Sequence, residues 1–210
     1  MSTKINAAQF IVIEGIDGAG TTTQSALLHD FLQAQGRPAL CTNEPSGGRI
    51  GTLIRELIAM RADAQPADRE TLALLFAADR LDHLKNEVEP ALEAGQIVIS
   101  DRYYHSSFAY QGDPAGGDAD ALDLRWVRTL NERARAPDLT VYLHAPVALC
   151  LERLGERAAH DIFETREHLT LMEQRYAQIM ERLGAEGQRI VRLDAALPRE
   201  IIAEKIRALL

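Results

Sequence analysis

Short apolar runs alternate with longer amphipathic segments along the chain. The apolar runs contain β-branched or leucine side chains and comprise residues 10–13, 39–42, 97–100, 139–143 and 190–193. Runs of this length are typical of strands that are buried on both faces of a parallel sheet. Between them lie segments such as residues 22–35, where apolar side chains recur at helical spacing. This alternation predicts an α/β fold built on a parallel sheet.

The segments between the runs predict helices of different lengths. Residues 71–89 form a long predicted helix, and Pro90 fits the first turn of a continuation that ends at Gly95. Residues 153–164 are charged and are interrupted by Gly155. No Gly/Ser/Pro linker, charge block or internal repeat divides the chain, so residues 1–210 are predicted to form a single domain.

Composition narrows the class of protein. A net charge of −8 argues against a general nucleic-acid binder. Cys41 and Cys150 belong to no Cys-x-x-Cys pair and are interpreted as core thiols in a reducing compartment. The chain has no apolar run of membrane-spanning length and no signal-peptide core, so we expect a cytoplasmic protein without a membrane partner.

A glycine-rich turn follows the first apolar run and leads into the first predicted helix. It fits the pattern G-x-x-x-x-G-K-[ST] except at position 21, where threonine stands in place of lysine. Glycines let successive backbone N–H groups form a cup for phosphate oxygens, and the helix dipole adds to the attraction. The predicted phosphate site comprises Gly15, Ile16, Asp17, Gly18, Ala19, Gly20, Thr21 and Thr22, with the Thr22 hydroxyl available to Mg²⁺. The alternative is an ordinary strand-to-helix turn.

Charged residues follow two other apolar runs. Asp101 and Arg102 come directly after residues 97–100, where ligands sit in open α/β sheets. Asp101 can hold Mg²⁺ through water, and Arg102 can bind a phosphate with two N–H groups. Glu44 and Pro45 follow the second run, with Arg55 on the helix beyond. The alternatives are a strand-end salt bridge and a plain turn before a solvated helix.

Two helical segments carry candidate ligand-binding side chains. Phe76 and Arg80 lie four residues apart on one helix face, where a ring can stack on a base and a guanidinium can bond its edge. Arg153, Arg157 and Arg166 bracket the interrupted segment, which could close over a triphosphate as a lid. The alternatives are a core phenylalanine with a surface arginine, and a solvated helix pair.

In their order and spacing these segments resemble the thymidylate kinase (dTMP kinase) family. The matching segments are residues 14–20, 44–45, 50–55, Leu-Phe-Ala-Ala-Asp-Arg at 75–80, 101–103, Ser-Ser-Phe-Ala-Tyr-Gln-Gly at 106–112, 137–139, Asp-Ile-Phe-Glu at 161–164, and 194–195. They span nearly the whole chain, and their combination is specific although each is modest. Residues 106–112 and 161–164 are most similar to the family's archaeal-type branch.

The resemblance implies transfer of the γ-phosphoryl group of ATP to dTMP, giving dTDP for dTTP biosynthesis, with Mg²⁺. It implies a P-loop nucleoside-monophosphate kinase core with a five-stranded parallel sheet flanked by helices on both faces. It also implies a homodimer. Nothing in it points to a nucleic-acid partner.

The resemblance also implies roles for individual residues. Arg102 and Arg55 would hold the phosphate of dTMP, and Phe76 would stack on thymine. The residues implied to contact dTMP are Glu44, Arg55, Phe76, Arg80, Arg102, Ser107, Tyr110 and Gln111. The residues implied to act in catalysis are Asp17, Arg102, Arg153 and Arg157, the last two from a lid at about residues 153–166.

Two positions depart from the family pattern. Asn43 replaces the arginine of the family's Thr-Arg-Glu-Pro, and Thr21 replaces the P-loop lysine. Loss of one preorganised donor to developing charge costs about 2–4 kcal/mol. One hypothesis is a working dTMP kinase whose missing cation comes from Arg157 or, as second choice, Arg153. The alternatives are a nucleotide-binding protein that has lost catalysis, and a kinase for another nucleoside monophosphate or for a deoxynucleoside. The complete set of acceptor residues favours the first.

Overall fold

A computed structural model describes residues 8–59, 68–116, 121–155 and 166–210. Most of the predicted lid, including Arg157, lies outside these residues. The strands are β1 (Phe10–Glu14), β2 (Ala39–Asn43), β3 (Ile97–Asp101), β4 (Gly112–Asp113), β5 (Leu122–Asp123), β6 (Leu139–His144) and β7 (Ile190–Asp194). Each of the five predicted runs is therefore a strand, one residue longer than its apolar stretch.

The five long strands form one parallel sheet in the order β2-β3-β1-β6-β7. The short strands β4 and β5 pair only with each other. The predicted α/β fold with a five-stranded parallel sheet is confirmed. Every residue of β1 is completely buried, because this strand lies in the middle of the sheet and carries apolar side chains on both faces.

Helices flank the sheet. They are α1 (Thr21–Ala34), α2 (Arg49–Ala59), α3 (Arg69–His83), α4 (Glu89–Glu93), α5 (Tyr104–Tyr110), α6 (Leu124–Leu130), α7 (Val147–Leu154), α8 (Arg166–Ala185) and α9 (Arg199–Arg207). Helix α1 contacts β1, β2, β3 and α9, while α5 and α8 pack against each other. Among the described residues, no helix is both long and apolar enough to cross a membrane.

The long helix predicted at residues 71–89 is divided into three pieces. Asp68 caps α3 by accepting a hydrogen bond of 2.8 Å from the Thr71 N–H. A π-helical turn, Leu84–Val88, joins α3 to α4. Pro90 lies in the first turn of α4, as predicted, and Gly95 follows the helix with a φ of 78°.

One of the two cysteines does not lie in the core, contrary to the prediction from the sequence. Cys150 is buried, but Cys41 is exposed, so the prediction of a core thiol at position 41 is wrong. The physical reason is the position of β2, which is an edge strand and alternates between covered and exposed residues. An apolar run does not reveal whether its strand will lie in the middle of the sheet or at its edge.

Because the five strands are parallel, their carboxyl ends meet at one edge of the sheet. The glycine loop follows β1 in the centre of the sheet, the Asp101-Arg102 pair lies at the end of the neighbouring strand β3, and the Glu44 turn follows β2, the next strand beyond β3. The topology therefore gathers the predicted chemical groups on one side of the molecule.

Candidate active site

The glycine loop between β1 and α1 has the geometry of a phosphate cup. Gly18 and Gly20 have φ values of 83° and 98°, which side chains other than glycine rarely adopt. A Cβ added to Gly18 would lie 2.7 Å from the Cys150 carbonyl oxygen. No side chain caps the amino end of α1, so its backbone N–H groups face the loop without a side-chain acceptor. The loop can bind an anion through backbone groups alone.

Thr21 cannot make the phosphate contact that a lysine at this position of the loop would make. Its side chain is buried, and its methyl group packs 3.3 Å from the position that a Cβ on Gly15 would occupy. Threonine has neither the length nor the charge to reach phosphate oxygens across the loop. Any side-chain cation at a phosphate bound in the loop must therefore come from another part of the chain.

Thr22 and Asp101 meet at the mouth of the loop. The Thr22 hydroxyl donates a hydrogen bond of 2.5 Å to Asp101 Oδ2. The other carboxylate oxygen, Asp101 Oδ1, is buried and has no hydrogen-bond partner. A hydroxyl beside an unsatisfied carboxylate oxygen fits a hard, oxygen-binding cation such as Mg²⁺. The two predicted metal residues therefore lie together and offer the right kind of donor.

Asp17 joins the glycine loop to Arg102 and Tyr110. One oxygen of its carboxylate accepts from Arg102, and the other accepts from the Tyr110 hydroxyl at 2.9 Å. Burial disfavours the charged form of Arg102. The attraction of Asp17 and the other surrounding groups outweighs this effect of burial, so the pKa of the guanidinium is raised. Burial raises the pKa of Tyr110 well above its usual range, so its hydroxyl keeps its proton and donates to Asp17.

Arg102 has a strained backbone. Its φ of 72° places it in the left-handed region, which costs a non-glycine residue roughly 1–2 kcal/mol. The Arg102 N–H donates to the Ile13 carbonyl at 2.9 Å, and Ser100 Oγ donates to the Arg102 carbonyl at 2.7 Å. These bonds hold the conformation that directs the guanidinium into the site, as is common for strained residues at functional sites.

Glu14 supports the site from below, although the sequence reasoning used it only as part of a motif. Its carboxylate is completely buried and accepts from the Tyr103 N–H at 2.7 Å, Ser106 Oγ at 2.8 Å and the Tyr176 hydroxyl at 3.0 Å. Burial opposes its charge, yet the contact with His105 and the other donors outweigh burial and lower the pKa of Glu14. Ser106 and Tyr176 in turn contact Arg102, so Glu14 supports the arginine from behind.

A cavity of about 510 Å³ opens beside this group. The predicted residues that line it are Asp17, Glu44, Phe76, Arg80, Arg102, Ser107, Tyr110 and Gln111. Helix α8 adds a wall that no sequence signal indicated, formed by His168, Leu171, Met172 and Arg175. The size of the cavity and its mixture of rings and cations suit a nucleotide.

Arg55 is the one predicted acceptor residue that is absent from the cavity lining. Its guanidinium donates to the Pro45 and Ser46 carbonyls, each at 2.8 Å. Pro45 itself lines the cavity, so Arg55 lies directly behind that wall. In this structure Arg55 supports the turn after β2.

Arg80 is one of the largest fully buried side chains. Its guanidinium donates to Glu44 at 2.8 Å, to Ser107 at 3.1 Å and to Asn131. The alternative of a surface arginine is wrong, because three partners distant in sequence surround the group. These bonds use three of its five N–H groups and fix its plane against the cavity.

Gln111 offers an acceptor to a ligand in the cavity. Its Oε1 atom is buried and makes no hydrogen bond. A buried acceptor without a partner is costly, and a ligand N–H directed at it would remove that cost. Gln111 and Arg80 therefore present an acceptor and a donor to the same cavity.

Arg153 lies against the glycine loop. Its guanidinium donates to the Gly18 and Ala19 carbonyls, both at 3.3 Å, and to the Ala195 carbonyl at 2.9 Å. The alternative of a plain solvated helix arginine does not account for these contacts. Arg153 is thus a cation placed beside the loop in which Thr21 stands for lysine.

Comparison with known proteins gives one consistent family. Residues 13–206 match the family model described as thymidylate kinase. A protein of Clavibacter sepedonicus named thymidylate kinase is 41% identical over 95% of this chain and 92% of its own length. A probable thymidylate kinase of Methanococcus aeolicus is 36% identical over 96% of both chains, and one of Thermococcus gammatolerans is 42% identical over 74% of both. The chain therefore belongs to the thymidylate kinase family.

Proposed function

We infer that this chain transfers the γ-phosphoryl group of ATP to dTMP, giving dTDP. The observation that carries the inference is the presence, at one edge of the sheet, of a phosphate cup and a separate nucleotide-sized cavity joined by Asp17 and Arg102. This arrangement occurs in a chain that aligns almost end to end with proteins named thymidylate kinase. The chain is accordingly an ATP-dependent nucleoside monophosphate kinase.

The donor nucleotide would place its phosphates in the glycine loop at the amino end of α1. Thr22 and Asp101 would hold Mg²⁺ there, and that ion would neutralise charge on the transferred phosphoryl group. The loop residues 15–20 supply backbone donors that need no rearrangement, because the glycines already hold the cup.

The acceptor would lie in the cavity with its phosphate toward Arg102. The ring of Phe76 would stack on the base, and Arg80 and Gln111 would bond its edge. Ser107 and Tyr110 would complete the wall, with Asp17 near the acceptor phosphate. A fixed donor and acceptor on the base edge favour thymine over cytosine, because thymine offers both a carbonyl and an N–H group there.

The cation that replaces the missing lysine is proposed to be an arginine of the lid. Arg153 is supported by its contacts with the loop carbonyls, whereas Arg157 stays a prediction outside the described residues. Arginine suits the role because its planar group can bridge two phosphate oxygens and stays charged. The assignment to an archaeal-type branch is likewise a proposal, resting on residues 106–112 and 161–164.

A homodimer is proposed through the outer faces of α2 and α3. These two helices pack together, and they expose Leu53, Leu74 and Leu81, which are 42%, 50% and 39% accessible. Exposed leucines grouped on neighbouring helices are typical of a surface that a partner covers. Leu74→Asp should halve the mass measured by light scattering if the helices form the dimer contact.

The activity is tested by a coupled ADP-release assay with dTMP, dUMP, dCMP, AMP and thymidine as acceptors. We expect the highest kcat/KM with dTMP. A higher value with another monophosphate or with thymidine would change the acceptor, and ATP binding without any turnover would favour the non-catalytic alternative. The same assay with Arg102→Ala should show almost no activity in a folded protein, since both charge and positioning are lost.

A further inference from the structure

The turn at residues 44–48, between β2 and α2, forms one wall of the acceptor cavity. Glu44 and Pro45 line the cavity, whereas Ser46 is buried behind them. Ser46 Oγ accepts from the Gly48 N–H at 3.1 Å, and α2 packs so closely on the turn that only glycine fits at position 51. The wall is therefore a short loop whose shape depends on what holds Ser46.

Asp79 of α3 holds Ser46 with both carboxylate oxygens. Oδ2 accepts from the Ser46 N–H at 2.7 Å, and Oδ1 accepts from the Ser46 hydroxyl at 2.6 Å. Asp79 and Ser46 are only 1% and 2% exposed. Short hydrogen bonds to a buried carboxylate are among the strong ones, and a buried charge without them is unfavourable. This pair of bonds, here named the Asp79 clasp, links α3 to the turn.

The next residue of α3 reaches the same turn from inside the cavity. Arg80 donates to Glu44 at 2.8 Å and lines the cavity, while Asp79 is absent from the lining. Two consecutive residues of α3 thus bind the turn two positions apart. One contact faces the ligand side and the other faces away from it.

We propose that Asp79 is a positioning residue for the acceptor nucleotide. Through its clasp on Ser46 it holds Glu44 and Pro45 at the correct distance from Arg80, so that the base and the wall fit each other. The proposal rests on the proposed function, because it assigns the cavity to the acceptor. It predicts that the clasp acts on acceptor binding and leaves the chemical step and ATP binding unchanged.

The experiment compares Asp79→Asn and Ser46→Ala with the wild type. The asparagine turns one acceptor oxygen into an N–H donor that faces Ser46. The alanine removes the hydroxyl and its bonds to Asp79 and to the Gly48 N–H but keeps the bond from the Ser46 N–H to Asp79, and it is the milder change. We expect the KM and the Kd for dTMP to rise about tenfold in Asp79→Asn and about threefold in Ser46→Ala. The kcat and the KM for ATP should stay within about twofold. The double variant should have the same dTMP constants as Asp79→Asn alone, since both substitutions disrupt the same contact between Asp79 and Ser46.

Asp138→Asn is the control for removing a carboxylate that accepts a backbone N–H elsewhere in the chain. Asp138 also accepts a backbone N–H at 2.7 Å, from Phe10, but it does so at the amino end of β1, away from the cavity. It should leave both nucleotide constants unchanged. Thermal unfolding of all variants reports stability separately, so a lower Tm with an unchanged dTMP Kd would show a structural role only and overturn the clasp proposal.

The failure of the clasp and the failure of the proposed function give different results. If the wild type neither binds nor phosphorylates dTMP, the proposed function is wrong, and the clasp proposal, which assigns the cavity to dTMP, is wrong with it. If the wild type is active and both clasp variants keep its dTMP constants, only the clasp is wrong. A parallel fall in kcat with no change in KM would also contradict the clasp, because it would place Asp79 in the chemical step.

Discussion

At the scale of single residues, the site depends on buried charges that have several partners. Arg80 is held by Glu44, Ser107 and Asn131. Glu14 accepts hydrogen bonds from the turn after β3, from α5 and from α8. In each case the charged group is costly to bury and is stabilised only by the full set of hydrogen bonds. Removing one partner should therefore affect folding as well as function.

The Arg80–Glu44 pair allows this coupling to be measured. Arg80→Ala leaves Glu44, whose side chain is 3% exposed, without its main cation. We expect a loss of about 3–5 kcal/mol in the free energy of unfolding, together with a higher KM for dTMP. Urea titration of Arg80→Ala and of the double variant with Glu44→Gln gives the test. The double variant should recover part of the stability, and no recovery would mean that the pair is not the source of the loss.

Thr21 and Arg153 form a second residue-scale test. If Arg153 supplies the missing cation, Arg153→Ala should lower kcat by about 10³-fold, the scale of an arginine finger. Thr21→Lys should then partly rescue that variant, because both cations serve the same phosphate oxygens and their effects do not add. Steady-state kcat for the two single variants and the double variant decides this. A drop of only a few-fold would leave Arg157 as the candidate, to be tested by Arg157→Ala.

At the scale of elements, the cavity wall formed by the turn after β2 depends on the close packing of α2 on that turn. A Cβ added to Gly51 would lie 2.1 Å from the Ser46 carbonyl oxygen and 2.6 Å from the Ser46 nitrogen. Both are backbone atoms, so relief requires the helix or the turn to move. The close approach of these two elements is a property of their packing and not of either one alone.

Gly51→Ala should therefore move the wall. We expect a loss of about 1–3 kcal/mol in unfolding free energy, as for other overpacked sites, and a higher KM for dTMP. Gly47→Ala is the control, since a Cβ at Gly47 would meet nothing within 4 Å. Denaturant unfolding and dTMP kinetics of the two variants should differ clearly. Equal effects would mean that the turn tolerates no substitution for some other reason.

At the scale of the whole molecule, Glu14 connects the central strand with α5 and α8. Its pKa is lower in the folded protein than the value of about 4.3 that is usual for an unfolded chain. A lowered pKa means that this group contributes stability above the unfolded pKa and loses it as pH falls through the folded pKa. The contribution should be complete at neutral pH and should disappear in acid.

Measuring the free energy of unfolding at acidic pH tests this contribution of Glu14 to stability. In the wild type the free energy of unfolding should decrease as the pH drops below about 4.3. In Glu14→Gln this decrease should be smaller. Glu186 is the control, because hydrogen bonding to Arg128 also lowers its pKa but the pair is solvent-exposed. Solvent screening makes such a pair weak, so Glu186→Gln should change the profile little. Equal slopes for wild type and Glu14→Gln would contradict the assignment.

The sequence alone predicted the five strands, the α/β class and the phosphate loop. These features are local, because a short apolar run favours a strand and glycines at fixed spacing permit only a few backbone paths. Phe76 and Arg80 were predicted from their helical spacing as a base-binding pair, and Ser107, Tyr110 and Gln111 were predicted through the resemblance. The fold brings all five to one cavity.

Only the tertiary structure decided which groups meet. The strand order left β2 at the edge and exposed Cys41, and it brought Asp101 to Thr22 across 79 positions in sequence. The partner Asn131 directly follows α6, and Tyr176 lies in α8, a segment whose own sequence shows only helical periodicity. Long-range contacts of this kind depend on how elements pack, so the Asp79 clasp, the Glu14 network and the support of the turn by Arg55 have no signal in a single stretch of sequence.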